Sequence, residues 1–359
     1  MIVKDLIDSI NALADDKQIT YDQAYEAMIA GLVAGIKKSF AVKTARVDVN
    51  TDKNEIVFYK QYYVYDDAKI DSDLSTIEQT LISLSEAKQI NVKAKVGEIL
   101  EVKVSPSDFT LTGAKELKGK MNETITIFQK ENVYSKFAAL KDEMLLVKIT
   151  DVEENVYRVE IDRELSAILP KKDCLSNELF NIGDRTRVLV TNVEMKTKWP
   201  KIYISRTSPD LVKRLFETYI PEIKEQIIEI VGFSREAGVK SKIGLRSNDP
   251  KMDPVGTAVG ERGTRIQEIV KALSGEKIEV FAWSDNEQEL ISNALKPAIV
   301  KAVTKVNPIK KSALVIVPDD QLSLAIGKLG LNAKLAAYAT GWHIDIRSES
   351  IASDEGIIY

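Results

Sequence analysis

The spacing of apolar residues changes along the chain, and each change predicts a different kind of element. Near the start, Leu6, Ile10 and Leu13 recur at helical spacing. Thr20 and Gln23 have the spacing of a capping box, and a second apolar helical face follows them. The first forty residues therefore predict two helices.

The pattern then shortens to the period of β-strands. The segment ARVDVNTDKNEIVFYKQYYVY, residues 45–65, places β-branched and aromatic residues on both sides of a polar turn and predicts a hairpin. EILEVKV, residues 98–104, predicts a further strand, and residues 113–140 predict a long helix. We expect residues 1–138 to form an α+β domain that includes this connecting helix.

Residues 139–206 show an all-β pattern. Five short strands are predicted in EMLLVKITDVE, NVYRVEID, LSAILP, RTRVLVTNVEM and KIYISRT. A short polar helix is predicted in KKDCLSNELF, between the third and the fourth strand. Five strands with a helix at that point is the order of an OB-type β-barrel. Another small barrel or a sandwich is the alternative.

After the barrel, helical and strand patterns alternate. Pro209 fits the first turn of a helix with Ser208 as its N-cap. IIEIVGFSRE and SKIGLRS predict two strands joined by a turn that contains glycine. Asp249 and Asp253, each followed by proline, indicate turns.

A repeat lies in this last part of the chain. AVGERGTRIQEIV and AIGKLGLNAKLAA share a GxxG word whose first glycines, Gly260 and Gly327, are 67 positions apart. In both copies an apolar helix, an exit ending in glycine and an alternating strand follow the word. Chance produces single GxxG words often, but it rarely matches the helix, the exit and the strand after both of them.

The physical properties of the repeated unit favour a phosphate-binding surface. Glycine lets a ligand approach the backbone closely, and the helix that follows directs free N–H groups and its positive dipole end at that space. This is the construction of the KH domain, whose GxxG loop holds the backbone of about four nucleotides. The alternative is that both turns serve only helix packing.

The expected fold is therefore multidomain α+β, with an N-terminal α+β domain, a five-stranded OB-type barrel and two tandem KH domains. We expect the KH domains at 207–284 and 285–351, and a short tail at 352–359. The predicted RNA-binding residues are Gly260, Glu261, Arg262, Gly263 and Arg265 in the first copy, Gly327, Lys328, Leu329, Gly330 and Lys334 in the second, and the basic residues Arg206, Lys242 and Arg246. Glu261 is unfavourable beside a phosphate unless it points away or pairs with Arg262.

Composition restricts the chemistry further. The 359 residues carry a net charge of −4, so bulk charge does not indicate RNA binding and local geometry must carry that prediction. Cys174 is the single cysteine and His343 the single histidine, which leaves little for thiolate metal sites or histidine catalysis. Turn chemistry explains Asp71, Asp73, Asp249 and Asp253 more simply than a metal pair does. We expect no cofactor, no metal, no enzymatic activity, no membrane segment, a monomer and a cytoplasmic location.

Several segments resemble a known family. ILPKKD, ISRTSP, SKIGLRSNDPKMDPVGTAVGERGTRIQEI and AIGKLGLNAKLA, in this domain order, are similar to the NusA family of bacterial transcription factors. The resemblance implies that residues 1–138 bind RNA polymerase and that the barrel and the KH domains guide single-stranded nascent RNA. It further implies an effect on pausing, intrinsic termination and antitermination, with other antitermination factors as further candidate partners.

The sequence departs from this family at two places. The family has an arginine two residues after a phenylalanine before the long helix, whereas Leu111 follows Phe109 here. RNA-binding barrels of this class often expose aromatic side chains, but we expect Tyr157, Phe180, Trp199 and Tyr203 to pack in the core.

Two other functions are compatible with parts of the sequence. An RNA-processing nuclease or its accessory protein would also carry KH and OB modules, but in polynucleotide phosphorylase, which has both, the KH domain precedes the barrel. A ribosome-associated RNA-binding protein differs chiefly in the partner of its N-terminal domain. Residues 1–138 carry a net charge of −3, which suits a protein surface better than RNA.

Overall fold

The computed structural model describes residues 3–50, 55–67, 77–162 and 165–359. The chain divides into two compact units, and each is described by itself. The first comprises residues 1–136 and 197–200, and the second residues 137–196 and 201–359. Asp71 and Asp73, which were considered as a metal pair, lie outside the described residues.

The first unit packs helices on a four-stranded sheet. Its elements are α1 (Val3–Lys17), α2 (Tyr21–Phe40), β1 (Thr44–Asn50), β2 (Glu55–Tyr65), β3 (Thr80–Ser83), α3 (Leu84–Ile90), β4 (Ile99–Val104) and α4 (Leu111–Ala138). Strand β2 pairs antiparallel with β1 and β4 and parallel with β3. Ile10, Ile36, Phe58 and Ile125 meet in its core, which shows how α1, α2 and α4 are held against the sheet.

Local signals place the helices of this unit. The capping box predicted at the start of α2 is present, since the Thr20 side chain accepts from the Gln23 N–H and the Gln23 side chain accepts from the Thr20 N–H. The predicted long helix is confirmed as α4, which has 28 residues. The predicted hairpin is confirmed by the antiparallel pairing of β1 with β2.

The second unit begins with a closed five-stranded barrel. Its strands are β5 (Met144–Val152), β6 (Val156–Asp162), β7 (Leu165–Pro170), β8 (Arg185–Glu194) and β9 (Lys201–Ser205). They follow one another around the barrel as β5-β6-β7-β9-β8, and β8 pairs again with β5. This is the strand order of an OB barrel, as predicted.

The prediction of a short helix in KKDCLSNELF is wrong. Only Lys171–Asp173 form a single 3-10 turn there. The Glu178 carboxylate accepts a hydrogen bond from the Leu175 N–H at 3.0 Å and pairs with the buried Arg206 guanidinium. Because side-chain contacts of this kind compete with helical hydrogen bonds, the segment is held as an irregular loop.

Within the second unit, two smaller domains of the same topology follow the barrel. The first contains α5 (Pro209–Tyr219), α6 (Pro221–Lys224), β10 (Ile228–Glu236), β11 (Lys240–Ser247), α7 (Pro254–Val259), α8 (Thr264–Ala272) and β12 (Lys277–Ala282). The second contains α9 (Glu287–Leu295), β13 (Ala302–Asn307), β14 (Ser312–Val317), α10 (Leu322–Ile326), α11 (Leu331–Thr340) and β15 (His343–Ser348), and α12 (Glu349–Asp354) comes after it.

Each of these two domains has a three-stranded sheet in which the first two strands are antiparallel and the last two are parallel. Ser208 is the N-cap of α5 as predicted, but its side chain makes no capping hydrogen bond. Asp249 accepts from the Lys251 N–H, and Asp253 caps α7 through the N–H groups of Val255 and Gly256. Both aspartates thus serve local turns, as their sequence context predicted.

Shared cores join the three parts of the second unit. Leu175 and Leu189 of the barrel belong to one apolar cluster with Leu215 of α5 and Ile243 of β11. Phe281 at the end of β12 belongs to the core of the second repeated unit. Among the described residues, no helix is long and apolar enough to cross a membrane.

Candidate nucleic-acid interface

The two GxxG loops have the same backbone conformation. Gly260 and Gly327 both lie at φ 76° and ψ 171°. Arg262 and Leu329, the third residues of the loops, have φ of 53° and 55°. The closing glycine of each loop is also left-handed. The repeat seen in the sequence is therefore also a repeat of backbone geometry at the first, third and fourth residues of the loop.

Glycine is required at the first position of each loop. A residue with a Cβ rarely adopts the backbone torsions of Gly260 and Gly327. A Cβ on Gly260 would lie 2.8 Å from the Cγ of Arg265, and one on Gly327 would lie 2.8 Å from the backbone nitrogen of Asn332. The loops are thus narrow turns closed on one side by the following helix.

The helices α8 and α11 begin directly after the loops, at Thr264 and Leu331. The first N–H groups of a helix have no partner inside it, and its N-terminal end carries a partial positive charge. The N–H groups of Gly263 and Gly330, and those that begin α8 and α11, already donate to carbonyls inside the loops. What each loop offers an anion is therefore chiefly the favourable dipole of the helix that follows it. This arrangement suits a phosphate of a nucleic-acid backbone.

The charged side chains of the loops are available to a ligand. Glu261, Arg262 and Lys328 are exposed. Within the described part of the chain, none of these three side chains has a hydrogen-bond or ion-pair partner, so the pairing considered between Glu261 and Arg262 is not formed. Arg262 and Lys328 can therefore approach a phosphate without first breaking an intramolecular bond.

The basic residues of the following helices are partly engaged. Arg265 pairs with Glu222 at 2.9 Å and donates to the Thr257 carbonyl at 2.9 Å. Lys334 lies 3.3 Å from the Glu236 carboxylate, and both side chains are about half exposed. These residues stay at the surface beside the loops, although each would exchange an existing partner for RNA.

Burial removes Arg206 and Lys242 from the surface, so the structure does not support the RNA contacts predicted for them. Only 1% of the Arg206 side chain is exposed and 2% of that of Lys242. Arg206 pairs with Glu178 and donates to the carbonyl of Ala272, which joins the barrel to the first KH domain. The predicted residue Arg246 is at the surface, where it pairs with Asp285 at 2.6 Å.

Lys242 joins the two KH domains. Its ammonium donates to the carbonyls of Ala294 and Lys296, at 2.6 and 3.0 Å, just at the end of α9. Glu279 lies 3.1 Å away. Burial lowers the pKa of Lys242, and the neighbouring Glu279 carboxylate opposes that effect. Carbonyls at the C-terminal end of α9 thus accept hydrogen bonds from a side chain of the other domain.

The helix that follows the second loop packs on the sheet of the first KH domain. Ser234 of β10 donates to the Leu335 carbonyl of α11 at 2.9 Å. A Cβ on Gly232 of the same strand would lie 2.5 Å from the Ala339 carbonyl oxygen. The closeness of β10 and α11 means that the two loops are held by one packed body.

Sequence reasoning missed the polar residues that organise the second unit. Glu178 and Arg235 are the clearest cases, together with Glu276, whose side chain has no exposed surface. The period-two pattern of the strands indicates which side chains share a face. It does not indicate whether another domain covers that face, and it says nothing about Glu178 and Glu276, which lie outside the strands.

The barrel offers few exposed rings. Tyr157 is buried and stacks edge-on with Phe180 at 5.4 Å between ring centroids. Tyr203 is half-buried and donates to Glu194. Only Tyr157 fits the predicted core packing, since Phe180 and Tyr203 are half-buried. Trp199, in the 197–200 segment of the first unit, is exposed, contrary to that prediction.

The single cysteine and the single histidine do not form a reactive site. Cys174 is buried, and burial raises the pKa of its thiol to about 12. His343 is exposed at the start of β15. Within the described ranges, no group of three histidine, cysteine or acidic residues could hold a metal ion.

Three parts of the chain are similar to domains of one known family. Residues 5–131 match the NusA N-terminal domain, residues 206–283 the NusA-like first KH domain, and residues 287–354 the NusA-like second KH domain. The transcription termination/antitermination protein NusA of Bacillus subtilis is 38% identical over 355 residues, which covers 98% of this chain and 93% of that protein. The chain belongs to the NusA family.

Other relatives carry the same name. The NusA protein of Halalkalibacterium halodurans is 38% identical over 99% of this chain and 91% of its own length. That of Rickettsia conorii is 31% identical over 96% of this chain and 68% of its own length. The family therefore extends over the barrel as well as over the three matched domains.

Proposed function

We propose that this chain is an RNA-binding transcription elongation factor that binds RNA polymerase through residues 1–138 and guides nascent single-stranded RNA. It modulates pausing, intrinsic termination and antitermination without catalysing a reaction. The proposed function places it in the bacterial cytoplasm, where transcription takes place. Its relatives named as termination/antitermination proteins support the process, and the paired KH loops support the ligand.

One observation carries the RNA part of this proposal. Two loops with the same torsions, each followed by a helix N-terminus, belong to one packed body. A strand of RNA that meets both loops is bound twice, and the second contact is made at high effective concentration. Modest affinity at each loop is then sufficient for stable binding.

Replacement of the exposed loop cations tests RNA binding. Arg262→Asp combined with Lys328→Asp keeps every glycine and adds two carboxylates beside the expected phosphate path. We expect single-stranded RNA to bind at least about tenfold more weakly at moderate salt, because lost phosphate contacts reduce affinity steeply. Gel-shift or fluorescence anisotropy titration of the full chain measures this.

The matched control is Lys93→Asp combined with Lys95→Asp, which makes the same charge change at exposed positions of the first unit. This control should bind RNA nearly as the wild type does. Equal losses in the two variants would mean that net charge, and not the loops, governs binding.

The polymerase part needs a different experiment. Crosslinking of the full chain to a stalled elongation complex should yield polymerase adducts from residues 1–138 and RNA adducts from the KH domains. Adducts to ribosomes, with none to polymerase, would contradict the proposal and favour a ribosome-associated role.

A further inference from the structure

The two loops have equal backbones but different side chains. Glu261 of the first loop corresponds to Lys328 of the second, and Arg262 corresponds to Leu329. Leu329 is 97% exposed, so its side chain contacts almost nothing in the protein. A charged position in one loop is thus occupied in the other by a fully exposed isobutyl group.

Two further exposed apolar residues precede Leu329 in the chain. Leu324 and Ile326, in the helix that leads into the second loop, are both exposed. The corresponding positions of the first copy are Thr257 and Val259, and both are partly buried. The second loop therefore has an apolar surface that the first lacks.

Exposure of single apolar residues is common and does not by itself indicate binding. The backbone at Leu329 supplies a second observation. Its φ of 55° is unfavourable for a residue with a Cβ, and leucine lacks the local hydrogen bonds with which asparagine and aspartate tolerate this region. Arg262 has nearly the same φ in the first loop, so the two side chains occupy equivalent loop positions, and both are exposed.

The chemistry of the side chain restricts the ligand group that it can contact. An isobutyl group makes no hydrogen bond to a phosphate, whereas unstacked bases and riboses in single-stranded RNA offer apolar faces. Lys328, the adjacent exposed residue, can contact the phosphate of the same nucleotide path.

We propose that Leu329 packs against the apolar face of a nucleoside in the RNA bound at the second loop, so that the two loops bind the same strand by different physical forces. This inference rests on the proposed function. The first loop holds RNA through Arg262 and is weakened by salt, whereas the second retains an apolar contribution that salt does not screen.

The salt dependence of RNA affinity distinguishes the two contacts. The full-length chain is titrated with a labelled single-stranded RNA of about 12 nucleotides without self-complementarity, which exceeds the span of two loops at about four nucleotides each. Dissociation constants are measured from about 50 to about 300 mM KCl, and log K is plotted against log salt. The variants are Leu329→Ala, Lys328→Ala and Arg262→Ala.

We expect Leu329→Ala to weaken binding roughly five- to tenfold at every salt concentration and to leave the slope unchanged. Lys328→Ala and Arg262→Ala should each reduce the magnitude of the slope by about 0.7, the value for one phosphate contact on a single strand. Leu329→Met, which preserves the apolar volume of the side chain, should bind RNA nearly as tightly as the wild type. Thermal melts that match the wild type establish that each variant is folded.

Two results would overturn the inference. Affinity of Leu329→Ala within about twofold of the wild type across the salt range would mean that the side chain does not contact RNA. A change of slope in this variant like that of Lys328→Ala would mean that the leucine acts only through the charges around it. A wild-type chain that bound no RNA would overturn the proposed function and this inference together, whereas normal wild-type binding with an unaffected Leu329→Ala overturns the inference alone.

Discussion

At the scale of the residue, Glu276 organises the contact between the barrel and the first KH domain. Its carboxylate accepts from the Arg235 guanidinium at 2.8 and 2.9 Å, from the Gly238 N–H at 2.9 Å and from the Ser241 hydroxyl at 2.6 Å. Arg235 also donates to the carbonyls of Ser208 and Arg206, at the end of the barrel. A buried charge with this many partners is costly to remove, because the Gly238 N–H and the Ser241 hydroxyl then lose an acceptor and the Arg235 guanidinium loses its counter-charge.

Glu276→Gln tests this contribution. The substitution keeps the shape of the side chain but leaves the Arg235 guanidinium buried without a counter-charge. We expect the free energy of unfolding to fall by about 3 kcal/mol. Urea unfolding followed by circular dichroism measures it.

Glu236→Gln is the control for this test, because Glu236 pairs with Lys334 at the surface and exposed pairs contribute little. A loss at Glu276 no larger than the loss at Glu236 would show that the buried pair is not a main source of stability.

Cys174 leads to a prediction about reactivity. Its pKa is raised to about 12, first by burial and then by the nearby Glu178 carboxylate. Since the thiolate is the reactive form, at pH 8 only about one thiol in ten thousand is ionised. Modification by a disulfide reagent should therefore be slow in the native chain and become fast in urea. Labelling of the native chain at the rate of a free cysteine would contradict this.

At the scale of the element, the loop glycines differ in what they tolerate. Gly327 combines torsions suited only to glycine with a backbone atom 2.8 Å from the position of a Cβ. Gly330 lies at φ 74° and ψ 9°, and a Cβ there would meet nothing within 4 Å. A Cβ at Gly327 would thus clash with a backbone atom, whereas a Cβ at Gly330 is disfavoured only by the left-handed torsions.

Alanine substitutions separate these two costs. Gly330→Ala should destabilise the chain by about 1 kcal/mol, the cost of a left-handed residue with a Cβ. Gly327→Ala should cost about 3 kcal/mol, because the Asn332 backbone must also move. Thermal unfolding of the two variants measures the difference, and equal melting temperatures would refute it.

The elements were largely predictable from the sequence, and their partners were not. The capping residues Thr20 and Gln23 and the repeated GxxG words are local signals, and each produced the predicted element. KKDCLSNELF was wrongly predicted as a helix, because Glu178 instead pairs with Arg206, 28 residues further on. Contacts of that kind depend on the packing of distant segments, which periodicity does not encode.

At the scale of the whole molecule, the C-terminal segment closes a sheet face. Leu314 and Ile316 of β14 are buried against Ala352 of α12 and against Ile357. By strand register, Lys242 and Gly244 of β11 in the first KH domain correspond to Leu314 and Ile316. In the first KH domain, this face of the sheet is covered by the second KH domain. Residues of the C-terminal segment thus cover the sheet of the second KH domain. They do so at the positions where the second KH domain covers the sheet of the first.

Removal of residues 349–359 should expose this face. We expect a loss of roughly 2 to 4 kcal/mol in unfolding free energy, since two large apolar side chains become exposed, and we expect some self-association. Thermal melts and light scattering coupled to size-exclusion chromatography measure these effects. Removal of 358–359 alone is the control, because Ile358 is almost fully exposed. A truncated chain that stays monomeric and equally stable would contradict the prediction.

Lys242 also determines where the chain can be divided for experiments. A fragment that ended between the two KH domains would keep this lysine and lose the Ala294 and Lys296 carbonyls that accept its hydrogen bonds. Water would enter beside Gly232, where the Ala339 backbone now excludes any side chain. An RNA affinity obtained with such a fragment would describe a rearranged surface, so the smallest piece that preserves the native loops contains both KH domains.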